Sequence, residues 1–210
     1  MASTDVKEHI AVREVTLSPL GYANPVPIGL LAFGMTTALL SLSNAGLFAV
    51  GTMILAMAVF FGGLAQVLAA LMSFRRNDTF ALTAFGGYGF LWITLAFTLI
   101  GQQHGWWPAA NSSIAMGWYL FVFAIFGTGV TLASLPHPRA LTLVLALTAA
   151  LVLILAIGEW TGNATIMKIA GWEGVVTGAS AVYLAFAHLV NDSFGRTLVP
   201  IGRPLAGSGR

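Results

Sequence analysis

Six long apolar runs, with almost every basic residue confined to alternate gaps between them, constrain this chain more than any other feature. Lys7 and Arg13 precede the first run, Arg75 and Arg76 follow the second, and Arg139 follows the fourth. Arg196, Arg203 and Arg210 follow the sixth, so eight of the nine Lys and Arg fall in one set of gaps. Only Lys168 falls in the other set, where it is expected in a loop. Such alternation is the positive-inside pattern of an integral membrane protein. It predicts an all-α fold of six transmembrane helices with both termini cytoplasmic, because a spanning segment must satisfy its own backbone polar groups.

A transmembrane helix needs ~20 mostly apolar residues to cross ~30 Å of hydrocarbon. On that scale the spans are read as about 26–43, 47–74, 80–101, 113–134, 139–158 and 170–190. The second is overlong, which predicts tilt or protrusion. The expected organisation is a cytoplasmic segment at 1–23, a six-span domain at 24–192 and a cytoplasmic tail at 193–210. Residues 1–20 are polar and open with no apolar h-region, so no cleavable signal peptide is expected. A mean hydropathy of +0.87 leaves little chain for a soluble domain.

The net charge of +2 does not imply a nucleic-acid partner, because no basic cluster is interleaved with aromatics. The absence of Cys removes disulfides, thiolates and Cys-ligated metals. Trp106, Trp107, Trp160 and Trp172 flank the 101–112 gap and a second outer gap that begins at Trp160-Thr161-Gly162-Asn163. Trp favours the headgroup level, so aromatics and charges give the same orientation.

Asn24-Pro25-Val26-Pro27 opens the first span, with Asn24 as its expected N-cap and the prolines in its first turn. That helix N-terminus presents a partial positive charge on the cytoplasmic side. Small residues recur, and Gly174-Val175-Val176-Thr177-Gly178 has a spacing that lets helices approach closely. Packing within one bundle and packing between subunits both fit it.

The spans hold almost no ionisable side chain near mid-bilayer, where charge usually marks an ion or proton path. Glu159 and Glu173 sit at the expected outer ends as rim charges, and His188 sits near the inner end of the sixth span. A pathway would then rest on amides, hydroxyls, backbone groups and aromatic constrictions, a lining that suits a small neutral or weakly charged solute. The amide candidates are Asn24, Asn44, Gln66 and Asn163. Gln66 lies deep in the second span and must face protein or water. Phe33 and Tyr88 could narrow a pore or simply pack.

An enzyme is not expected. Ser180 and His188 lie eight residues apart, ~12 Å along one helix, too far for a nucleophile–base pair. His9, His104 and His137 fall in gaps, and no metal, nucleotide or other cofactor motif is present.

Several ordered motifs carry a resemblance. Asn24-Pro25-Val26-Pro27-Ile28-Gly29-Leu30 is similar to the NPxPLGL signature of the acetate uptake transporter family, which includes the bacterial succinate–acetate permeases. The likeness continues through Phe33-Gly34-Met35-Thr36-Thr37 and Phe61-Gly62-Gly63-Leu64-Ala65-Gln66, and reaches Phe194-Gly195-Arg196-Thr197-Leu198-Val199-Pro200-Ile201-Gly202. It implies a six-helix protomer, a homo-hexamer in the lipid bilayer, and one pathway per protomer for acetate and small carboxylates such as succinate. The family constriction is Phe, Tyr and Leu. The first two carry over as Phe33 and Tyr88. The third position aligns with Thr148, beside Leu147 and Leu151, which departs from the pattern and puts solute size in question. Thr36, Thr37, Asn44 and Gln66 are candidate donors on either side of it. A proton-coupled acetate symporter, a channel for a neutral amide such as urea, and an acetate-binding sensor are the competing readings.

Overall fold

A computed structural model describes residues 21–106 and 112–206. Lys7, His9, Arg13, Trp107 and Arg210 lie outside the described residues. Among the described residues six helices are long and apolar enough to cross a membrane: α1 (Val26–Asn44), α2 (Thr52–Phe74), α3 (Thr79–Gln103), α4 (Ser112–Ala133), α5 (Arg139–Thr161) and α6 (Ala164–Phe194). Among the described residues the β structure is one isolated bridge, Pro138 to Pro204. With 19 residues, α1 is ~28 Å long, close to the ~30 Å of a hydrocarbon core.

Two expected boundaries shift. The second span begins at Thr52 rather than 47 and has 23 residues, so it is not overlong. The long helix is α6, whose 31 residues start at Ala164 rather than 170. The expected second long loop therefore shrinks to a two-residue turn, and Lys168 lies in α6, not in a loop. Local chemistry explains the correction. Gly162 takes a left-handed conformation (φ 60°) that ends α5. Asn163 at once caps α6, its side chain accepting from the N–H groups of Thr165 and Ile166. The start of α6 carries Thr165 and Lys168 among apolar residues, and at Gly171 the helix passes the end of α1 at Ala45.

The helices close into a ring in which α1 packs most tightly on α6, α4 on α5, α5 on α6, and α2 on α3 and α1. The α1–α6 contact is made of glycines. A Cβ added at Gly34 would lie 2.7 Å from the Gly178 carbonyl oxygen, and one at Gly178 would lie 2.6 Å from the Gly34 carbonyl oxygen. Gly171 meets the Ala45 backbone and Gly174 meets the Ser41 side chain in the same seam. The Gly174–Gly178 spacing is thus spent inside the protomer, which decides between the two packings that the spacing allowed. On the opposite side α3 meets α4 through side chains. The Tyr119 hydroxyl sits 2.7 Å from Thr94 Oγ1 and 2.8 Å from the Leu91 carbonyl oxygen.

The middle of α2 is a π-helix, Ala58–Ala65. Its buried residues Ala58 and Gly62, followed by Gln66, repeat every four positions. Residues four apart share a face in either an α-helix or the wider i→i+5 turn. Gly62 and Gly63, the weakest helix formers after proline, let that face press on Thr36 and Ile93.

At the end that carries Arg75, Arg76 and Arg139, hereafter the basic end, the connections are tied down. Asp78 caps α3, accepting from the Ala81 N–H at 2.9 Å. Arg76 donates to the Tyr22 carbonyl oxygen at 2.7 Å. Helix α1 starts one residue later than the expected cap implies, but Asn24 still accepts from the Val26 N–H at 3.0 Å. Its amide also donates to Asp192 at 2.7 Å, joining the start of α1 to the end of α6. The segment after α6 folds back over this end. Tyr183 donates to the Pro200 carbonyl oxygen, and the N–H groups of Leu205 and Ala206 donate to that of Leu135.

Candidate functional site

Phe33 on α1 and Tyr88 on α3 meet inside the ring with ring centroids 5.5 Å apart. They are 7% and 3% exposed. Both residues line both of the ring's internal cavities, so the pair is the partition between them. Toward the basic end the cavity measures about 120 Å³ and is bounded by Val26, Gln66, Phe80, His137, Val144 and His188, among others. Toward the far end it measures about 50 Å³ and is bounded by Thr37, Asn44, Trp92, Thr148 and Leu151, among others.

Tyr88 is held from behind by Phe126 of α4, edge-on at 5.3 Å. Two glycines make room for that arrangement. A Cβ at Gly127 would lie 3.0 Å from the Tyr88 hydroxyl, and one at Gly87 would collide with the Phe126 ring. The wall is therefore an aromatic stack across α1, α3 and α4. The repeated aromatic spacing of α4 gave no sign of which ring would serve.

On α5, Val144 and Leu145 face the basic-end cavity while Thr148 and Leu151 face the far-end one. Leu147 is half-buried and borders neither cavity. It lies one residue, about 100° of helical rotation, from Thr148. The Thr148 hydroxyl donates to the Val144 carbonyl oxygen at 2.7 Å, a backbone bond that disposes of its proton.

The six polar candidates separate. Gln66 is 1% exposed, borders the basic-end cavity, and its Oε1 has no hydrogen-bond partner. Thr37 and Asn44 border the far-end cavity, and Thr37 Oγ1 is also unpartnered. Thr36 is fully buried against Gly62, its hydroxyl unpartnered and on neither cavity wall. Asn24 and Asn163 border neither cavity, and both spend their side chains on helix starts.

Helices α1, α3 and α5 all begin at the basic end, and Val26, Phe80 and Pro138 bring their N-termini to the cavity wall. Each such end carries a partial positive charge. The Asp78 carboxylate is engaged in capping α3. His137 is stacked on Phe80 at 4.3 Å, and His188 completes the rim. Ser180 donates to the Thr177 carbonyl oxygen at 2.7 Å, away from any role with His188. Glu173 accepts from the Thr177 hydroxyl at 2.9 Å and borders neither cavity.

Trp92 escaped the sequence reading. It stands one turn beyond Tyr88 on the same face of α3, and that i, i+4 relation was the available signal.

Known proteins share this plan. The succinate-acetate/proton symporter SatP of Escherichia coli strain K12 is 44% identical over 180 residues, covering 86% of this chain and 95% of that protein. The structure of the bacterial acetate channel SatP superposes with a TM-score of 0.84 at 44% identity, covering 86% of this chain and 99% of that one. The ammonia transport outward protein 3 of Saccharomyces cerevisiae is 28% identical over 181 residues, covering 84% of this chain and 66% of that protein. The profile of the GPR1/FUN34/yaaH family matches residues 13–201, and the chain belongs to that family.

Proposed function

We propose that this protein is a membrane channel or permease for acetate and related small carboxylates, with a pathway through each helix ring. The observation that carries the reading is the pair of cavities sharing Phe33 and Tyr88 as their common wall. The likeness to SatP supplies the solute class. The wall suits that class. A hydrophobic constriction resists wetting and so opposes bare ions, whereas the methyl group of acetate tolerates it. Gln66 on one side and Thr37 and Asn44 on the other offer the polar partners that the carboxyl group needs. Succinate belongs to the same class.

The alternation of basic residues supports cytoplasmic N- and C-termini, which puts the basic-end cavity on the cytoplasmic side of a cell membrane. Family membership supports assembly as a homo-hexamer.

SatP is described both as a symporter and as a channel, so the mode of passage is the open point. The test is to measure current across a planar bilayer containing the purified protein, under an acetate gradient at equal pH. A current reversing near the acetate equilibrium potential identifies an anion channel. No current, with acetate-dependent proton uptake in vesicles above the protein-free leak, identifies electroneutral symport or passage of the acid. Absence of acetate movement in both assays rejects the proposal, and urea flux in its place would select the neutral-amide reading.

A further inference from the structure

Helix α5 starts without a cap of its own. Its N-cap residue is Pro138, which has no side-chain acceptor to offer. The first N–H groups of a helix lack intrahelical partners and take acceptors from elsewhere. The segment after α6 supplies one, because the Ala140 N–H donates to the Ile201 carbonyl oxygen at 3.1 Å. The same segment holds the α4–α5 loop from its other side. The N–H groups of Leu205 and Ala206 donate to the Leu135 carbonyl oxygen at 3.2 and 3.0 Å, and Pro204 pairs with Pro138 in the isolated bridge. His137, which borders the basic-end cavity and stacks on Phe80, is thus bracketed by contacts with this segment.

Residues 195–206 reach the loop because α6 turns them back. Gly195 takes a left-handed conformation (φ 62°) that ends the helix. Asn191, in the last turn of α6, then spends its amide on the returning chain. Its Oδ1 accepts from the Leu198 and Val199 N–H groups at 2.8 and 2.9 Å, and its Nδ2 donates to the Val199 carbonyl oxygen at 2.9 Å. Tyr183 adds a bond to Pro200 at 2.7 Å, and Ile201 packs on the core. None of residues 195–206 borders the cavity, so the segment is not a lid.

We propose that residues 195–206 form a strap that shapes the wall of the basic-end cavity, with Asn191 as its positioning residue. The strap acts through the α4–α5 loop. It holds His137, Pro138 and Leu141 in the wall that a solute passes on its way to Phe33 and Tyr88. The proposal rests on the transport reading above and adds to it a residue that borders neither cavity. Releasing the strap uncaps α5 and frees the loop, while the aromatic pair stays in place.

The test compares the full-length wild type with N191L, similar in size but without hydrogen bonds, in nanodiscs with ¹³C-labelled histidine and in proteoliposomes. The ring current of Phe80 displaces the carbon-bound proton resonances of a histidine stacked on it, and H137Q identifies that signal among the four histidines. In N191L the His137 signal should move toward that of an unstacked histidine. The KM for acetate should rise about fivefold, the size of losing a helix cap, with kcat and the acetate-to-butyrate preference changed far less. Y183F, which loses one strap bond, should move both readouts the same way by less. An unmoved His137 signal in N191L, or a raised KM matched by an equal loss of kcat, overturns the positioning role. If N191L does not assemble, Y183F decides by the same two readouts. Wild-type protein that moves no acetate rejects the transport reading instead, and the His137 signal still decides the strap.

Discussion

Tyr88 owes its place to its neighbours: Phe33 in front, Phe126 behind, and the space above Gly127 for its hydroxyl. Removing the ring leaves the partition with one wall. Tyr88→Ala should admit carboxylates larger than acetate, and uptake of labelled butyrate or benzoate should rise severalfold relative to acetate. Unchanged selectivity would show that Tyr88 only packs. Gln66 differs from Asn24 and Asn163 in what is left for it to do. The two asparagines satisfy backbone N–H groups at helix starts, whereas the Gln66 carbonyl has no protein donor. Losing a hydrogen bond of ~1.4 kcal/mol is a tenfold effect. Gln66→Leu should therefore lower acetate flux about tenfold while the oligomer elutes unchanged from a sizing column, and full flux would remove Gln66 from the pathway. The amide positions were legible in the sequence. Their division into caps and cavity lining was not, because that depends on which backbone groups each side chain meets.

The elements are held to one another chiefly by what their glycines leave out. At the α1–α6 seam a side chain at residue 178 has no place to go, since the Gly34 carbonyl oxygen and the Ala38 backbone already occupy it. Overpacking of a tight contact costs about 1–3 kcal/mol or more. Gly178→Val should lower the thermal transition of the detergent-solubilised protein by several degrees and reduce assembled yield. Gly129, where a Cβ would meet nothing within 4 Å, should accept alanine with little change. The π-helical stretch of α2 acts at the same scale. It holds Ala58, Gly62 and Gln66 on one face, so the amide reaches the cavity from a helix whose lipid-facing side remains apolar. A four-residue repeat was present in the sequence, but an α-helix can also bury residues four apart. The choice of the wider turn belongs to the packing of Gly62 on Thr36 and Gly63 on Ile93.

The molecule is a ring of six helices whose axial space is pinched at its middle, with three helix N-termini, two histidines and most of the basic loops at one end. The orientation proposed from those charges is open to a direct measurement, because the chain has no native Cys. Ser193→Cys at the basic end and Thr161→Cys at the far end should each introduce one exposed thiol. In intact cells a membrane-impermeant maleimide should label Cys introduced at 161 and not at 193. The opposite pattern would invert the topology.

The sequence alone determined the number and approximate extent of the spans, because a bilayer imposes a length and a polarity that any spanning helix must meet. It also held the likeness to a transporter family in motifs that run nearly its whole length. It mistook the first turns of α6 for loop, because Gly162-Asn163 is a turn signal and Lys168 interrupts the apolar run, whereas Asn163 caps the helix at once. Only the tertiary structure decided that Thr148 and not Leu147 borders the cavity, and that Trp92 stands with Thr37 beyond the aromatic pair. Facing inward is a property of the ring: it is set by how neighbouring helices rotate to pack their glycines, and no helix carries that angle in its own residues.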